Sequence, residues 1–225
     1  ALAGKLYDKD RLTREGKAGF DKRPAYMGIG LVGRTLGSVG IGNIGAEMFR
    51  VCAPLNMKYI AHDPWADPAV AKELGVELVS LERVFAESDF LSINAPLTDQ
   101  TKHLVNAERL ALMKSTAYLI NTSRGPLVDQ LALVEALNNG VIAGAGLDVF
   151  DPEPSPPDDP IFSAKNVIVT PHALCWTDQC FAGIGASDVE QVLFVKAGET
   201  PPYLVDKSVV DDATFKDRLR AYKDA

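Results

Sequence analysis

Apolar residues along this chain fall into short blocks separated by stretches in which apolar positions recur every three or four residues. The blocks lie at 36–40 (LGSVG), 57–62 (MKYIAH), 76–79 (VELV), 90–93 (FLSI), 117–121 (AYLIN), 143–149 (AGAGLDV) and 166–170 (NVIVT). Most are apolar at successive positions, as strands covered on both faces are. Helical patterns alternate with them, and that order specifies parallel strands joined by crossover helices, an α/β doubly wound sheet. Several helix ends are written in the chain. Asp129 is placed to cap a helix through Leu131, Leu133, Val134 and Leu137 that Gly140 ends, and Asn106 to cap a short helix over 107–113. The proline-rich stretch 151–160 (DPEPSPPDDP) is excluded from helix and central strand, which predicts an ordered surface loop. A long helix is expected over 177–197, ended by Gly198, and a weaker helical pattern over 213–222. The first 23 residues are rich in charge, with Leu2, Leu6 and Tyr7 along one side of a helix, a stripe that needs a partner to cover it.

Composition narrows the function classes. A chain of 225 residues that is 47% hydrophobic can bury a sizeable core. A net charge of -7 without a lysine and arginine run speaks against nucleic acid or an anionic membrane surface and favours a small-molecule partner. No apolar run is long enough to span a bilayer, and no signal-peptide pattern opens the chain, so the expectation is a cytoplasmic protein. Three cysteines, Cys52, Cys175 and Cys180, support neither a disulfide framework nor a zinc site, and no metal is expected.

The first block runs into Gly40-Ile-Gly42-Asn43-Ile44-Gly45, followed by a helix through Ala46 and Cys52. This is the arrangement that binds a dinucleotide: glycines give the tight turn, the close approach of a pyrophosphate and the packing of helix on strand, and the helix N-terminus favours the anion. About 20 residues further on, Asp63 ends the second block, where a carboxylate accepts from both ribose hydroxyls and repels a 2'-phosphate. NAD is therefore the expected cofactor, in preference to NADP.

Three later strand ends carry polar chemistry: Asn121-Thr122-Ser123-Arg124, Asp148 with Glu153 beyond it, and Thr170-Pro171-His172. Taken singly, Arg124 has a reading as a surface ion-pair residue, Glu153 as a solvated loop carboxylate and His172 as a strand end. Together, at three successive strand ends of an open α/β sheet, they converge on the crevice that the glycine loop also faces. His62 and His103 are assigned to structure, and Cys175 to a small buried filler.

GIGNIG, HDP, NAPLTDQTKHLVN, NTSRGPLVD, GLDVFDPEP and NVIVTPH resemble, in order and spacing, the Rossmann-type NAD-binding domain of the D-isomer-specific 2-hydroxyacid dehydrogenases over roughly residues 1–200. The resemblance implies that Arg124 grips the substrate carboxylate and polarises its carbonyl, and that His172 is the general acid in reduction and base in oxidation. It implies that Glu153 orients His172, fixing its tautomer and favouring the imidazolium. It also puts Asp148 on the nicotinamide side, Pro96 in the adenosine pocket, and Thr122 and Ser123 beside the cofactor.

The expected organisation is a helical arm over 1–25 that contacts a second copy in a homodimer, the NAD-binding domain over 26–200, and a tail over 201–225 left from the substrate domain, which is otherwise expected to be missing. Asn43 stands where the family often has arginine, and Trp176 where small residues are common, so Trp176 is expected to narrow the pocket. The implied activity interconverts a small D-2-hydroxy acid and its 2-keto acid. The resemblance extends to NAD(H)-sensing co-repressors and leaves a catalytically incomplete fragment open.

Overall fold

The seven apolar blocks become strands in the computed structural model, which describes residues 1–223. They are β1 (Thr35–Val39), β2 (Lys58–His62), β3 (Val76–Leu78), β4 (Phe90–Ile93), β5 (Tyr118–Asn121), β6 (Gly144–Leu147) and β7 (Val167–Val169). Among the described residues they form one parallel sheet in the order β3-β2-β1-β4-β5-β6-β7. The order reverses between β1 and β4, the kind of switch point outside whose carboxyl ends open α/β sheets bind ligands.

Adjacent residues within a strand fall into different apolar clusters: Leu91, Leu119 and Ile60 into one, Phe90, Tyr118 and Ala61 into the other. Side chains alternate across a sheet, so both faces are covered. The covering helices of the crossovers are α3 (Asn43–Cys52), α4 (Pro68–Glu73), α5 (Leu81–Glu87), α6 (Ala107–Leu112) and α7 (Gln130–Asn138). Their caps follow the chemistry of the sequence. Asp129 accepts from Ala132 N, Asn106 from Arg109 N, Ser80 from Arg83 N and Asp67 from Ala69 N. Gly140 takes φ 70° after α7, a left-handed turn that costs glycine little.

The chain divides into two compact units, Ala1–His172 and a second that begins at Ala173. The N-terminal arm, α1 (Leu6–Arg14) and α2 (Lys17–Lys22), is part of the first unit, and the break between the units falls after β7. The expected stripe is corrected. Leu6 and Tyr7 are exposed, but Leu2 precedes the helix and packs against the cluster around Phe90 and Tyr118, its Cδ1 lying over Gly146 of β6. The second unit holds α8 (Asp178–Lys196), capped by Thr177 and followed by Gly198 at φ 72°, and α9 (Ala213–Lys223), whose Leu219 is buried. No described helix is long and apolar enough to cross a membrane.

At the amino ends of β1 and β4 a buried carboxylate joins the strands. Asp89 accepts from Thr35 N at 2.8 Å and from Lys114 Nζ at 3.2 Å, with Arg34 at 3.6 Å. Its side chain is 8% exposed while both cations reach solvent. Asp89→Ala should therefore cost about 2–3 kcal/mol, chiefly from the amide left without its acceptor, read as a lower urea midpoint at unchanged slope.

Candidate active site

The glycine loop joins β1 to α3 and is held from beneath. Gly40 takes φ 95°, and a Cβ there would stand 2.6 Å from Asn94 O; one at Gly45 would stand 2.5 Å from Gly40 O. Both glycines are therefore demanded by backbone approach. Gly42 differs, because a Cβ there meets nothing within 4 Å. Its open side and the first amides of α3, which have no partner inside the helix, form a cradle for an anion. Asn43 and Ile44 are exposed beside it.

Asp63 follows β2 and is tied to the same loop: Oδ2 accepts from Ile41 N at 3.0 Å, and Oδ1 from Trp65 N at 2.9 Å. Each oxygen retains acceptor capacity for a ribose hydroxyl. The chemistry of these residues fits a dinucleotide: amides without a partner inside the helix suit a pyrophosphate, and a carboxylate with spare acceptor capacity suits a ribose. The sequence did not reveal what fixes the loop. Buried Ser38 donates to Gly40 O at 2.6 Å, and Asn94 Nδ2 donates to Ser38 Oγ at 2.9 Å and Ser92 Oγ at 3.2 Å. These residues lie on neighbouring strands far apart in the chain, and an apolar block with isolated serines was the only signal.

Farther along the sheet, β5, β6 and β7 are adjacent and deliver the remaining residues at their carboxyl ends. Asn121 shapes the turn after β5, accepting from Ser123 N at 3.0 Å and donating to Arg124 O at 2.9 Å. Ser123 Oγ donates to Ala95 O at 3.0 Å, which joins this turn to the segment before exposed Pro96, and Thr122 is exposed. Arg124 is exposed and donates one N–H to Ser123 O at 2.6 Å, out of the five its guanidinium carries. Gly125 then runs so close to the end of β6 that an added Cβ would lie 1.7 Å from Phe150 O.

Asp148 is buried just past β6 and accepts from Thr170 Oγ1 at 2.5 Å. His172 follows β7 with φ 53°, its N–H donated to Thr170 O at 3.1 Å. Its Nδ1 lies 3.1 Å from Glu153 Oε1, the contact expected of an orienting carboxylate. With Nδ1–H donated to Glu153, Nε2 is the nitrogen left to exchange a proton with a reacting group. Glu153 also lines a pocket of about 340 Å³, together with Phe150, Pro154, Phe162 and Val169.

His62 Nδ1 meets Val79 O at 3.0 Å, and His103 is an exposed turn residue at φ 50°. Cys175 is corrected: it is exposed in the turn before α8, not a buried filler. Burial pushes the Cys52 thiol above its usual range, which makes it a poor nucleophile. Trp176 belongs to the second unit, exposed and edge-on to Phe181.

Residues 1–173 match the model of the NAD binding domain of the D-isomer specific 2-hydroxyacid dehydrogenases. The chain is 45% identical over 211 residues to a glyoxylate reductase of Korarchaeum cryptofilum, covering 93% of this chain and 64% of that protein. The D-lactate dehydrogenase of Escherichia coli superposes with a TM-score of 0.77 at 33% identity, over 89% of this chain and 62% of that one. The NAD-complexed D-isomer specific 2-hydroxyacid dehydrogenase of Lactobacillus delbrueckii ssp. bulgaricus superposes with a TM-score of 0.81 at 28% identity, over 91% and 66%. The chain thus spans about 64% of the length of the glyoxylate reductase it matches.

Proposed function

The chain belongs to the D-isomer specific 2-hydroxyacid dehydrogenase family, of which it carries the NAD-binding domain, and from that premise we propose that the complete protein reduces a small 2-keto acid to its D-2-hydroxy acid and catalyses the reverse. The carrying observation is the 3.1 Å contact of Glu153 with His172 at the end of β7, beside the strand ends that bear Arg124 and Asp148. NAD, when bound, supplies and accepts the hydride.

The chain's own residues do the rest. Arg124 pairs with the substrate carboxylate and draws charge toward the adjacent carbonyl oxygen. His172 gives its Nε2 proton to that oxygen as negative charge develops there. Glu153 keeps Nδ1–H engaged, so the imidazole stays aligned through the transfer. In oxidation Nε2 takes the hydroxyl proton back. Gly40, Gly42, Asn43, Ile44 and Gly45 hold the pyrophosphate, Asp63 the ribose and Pro96 the adenosine side, while Thr122, Ser123 and Asp148 line the nicotinamide end. Glyoxylate and D-lactate, the compounds in the relatives' names, set the size class of substrate. Exposed Leu6, Tyr7 and Phe20 on the arm support pairing of two copies, which sedimentation of the complete protein would detect.

Turnover tests the activity: NADH oxidation by the complete protein with glyoxylate, hydroxypyruvate or pyruvate supports it. Cofactor binding without turnover on any small 2-keto acid favours the NAD(H)-sensing alternative. The cofactor site is tested on this chain itself. At about 100 times its dissociation constant, NADH should raise the melting temperature by about 5–10 °C, and NADPH by much less, because Asp63 repels a 2'-phosphate. An equal rise with NADPH overturns the role given to Asp63.

A further inference from the structure

The loop that carries Glu153 cannot hold itself in place. Five of the ten residues of 151–160 are proline, without an N–H to donate. Its internal hydrogen bonds, Ser155 Oγ to Pro152 O and Asp159 N to Pro156 O, shape local turns only. A side chain outside the loop ties both of its ends to α7. Gln130, the first residue of α7, accepts from Asp151 N at 3.2 Å through Oε1 and donates to Asp159 Oδ2 at 2.8 Å through Nε2. One amide thus bridges the two ends of the segment with Glu153 between them.

Both anchors are firm. Asp159 is buried, and its other oxygen accepts from the N–H of fully buried Ile161 at 2.9 Å. On the other side, Asp129 N donates to Val105 O at 2.8 Å while its carboxylate caps α7. Only an amide suits the position: a carboxylate would accept from Asp151 N but face the Asp159 carboxylate, and an aliphatic chain would serve neither.

We propose that Gln130 is a positioning residue for the acid–base pair: it fixes the Glu153 loop so that the carboxylate meets His172 Nδ1. The inference rests on the function proposed for Glu153 and His172, and it adds the first residue of α7, six positions after Arg124, to the machinery. One stretch of chain then sets both the cation and the carboxylate.

The test is the tautomer of His172, which is set by the hydrogen bond at the opposite ring nitrogen. The chain has three histidines, so imidazole ¹⁵N spectra are assignable, with His172 identified by loss of its signals in His172→Gln. In the parent, neutral His172 should be mainly the Nδ1–H form. Glu153→Ala should shift it toward the Nε2–H form, and Gln130→Leu should shift it the same way although it touches neither residue. Gln130→Glu guards against an unfolded leucine variant. It should shift the tautomer in the same direction, because its carboxylate faces that of Asp159 and has no N–H to donate to it. An unchanged tautomer in a folded Gln130 variant, with Glu153→Ala shifted, overturns the proposal and leaves the pair intact. No shift in Glu153→Ala overturns the role of Glu153, and this inference with it.

Discussion

Replacing His172 by alanine is expected to lower 2-keto acid reduction by the complete protein about 10²–10⁴-fold while NADH affinity stays within about twofold of the parent. The size follows from the task. Hydride arriving at a carbonyl carbon leaves an alkoxide, and without a positioned donor that charge must wait for water. The Glu153 contact at 3.1 Å and the φ of 53° at His172 both work to place the ring. Alanine loses the ring and keeps everything that Gly42, α3 and Asp63 offer a dinucleotide, so the loss should lie in chemistry and not in cofactor binding. Stopped-flow NADH oxidation, with binding followed by nicotinamide fluorescence, separates the two. Turnover near the parent's would show that another group donates the proton. A matching loss of NADH affinity would place His172 in the cofactor site instead.

The strands were legible because most of them are apolar at successive positions, with only isolated polar residues such as Ser38 and Ser92, and 90–93 appears as β4 with no change of ends. Other blocks ran longer than their strands: 143–149 shortens to Gly144–Leu147, with the chain bending at Asp148. Helices α4 and α5 were not delimited, although Asp67-Pro68 and Ser80 are good starts, because six and seven residues are too short for a periodic signal. Site residues that sit one to a strand end were legible one by one. What joins them was not. Gln130 meets a loop 21 to 29 residues away, and Ser38 meets Asn94 across 56, and no local pattern encodes such pairings. Leu2 misled for the same reason: its spacing fitted a helix face, while its environment is decided by β6.

Two glycine-to-alanine changes should separate fold from cofactor site. Gly125→Ala puts a Cβ 1.7 Å from Phe150 O and 2.1 Å from its carbonyl carbon. Both are backbone atoms of a residue that is 7% exposed and part of the main apolar cluster, so no side chain can swing aside. The β5 and β6 ends must part, at a cost of about 3–5 kcal/mol, the upper range for a single substitution. For a chain of this size that lowers the melting temperature by about 6–20 °C. Arg124 precedes this contact directly and the Glu153 loop follows it, so the substrate-gripping cation and the His172 partner lose their common reference as well. Gly42→Ala is the converse. Its Cβ meets nothing within 4 Å, and its φ of -64° suits alanine, so the melting temperature should stay level or rise slightly. The methyl group instead occupies the space through which a pyrophosphate approaches the first amides of α3, and NADH affinity should fall at least about tenfold, near 1.4 kcal/mol. Melting curves of both variants with and without NADH decide the matter. Parent-like stability in Gly125→Ala would contradict the close approach of the segments that follow β5 and β6. Parent-like NADH affinity in Gly42→Ala would move the pyrophosphate away from the glycine loop.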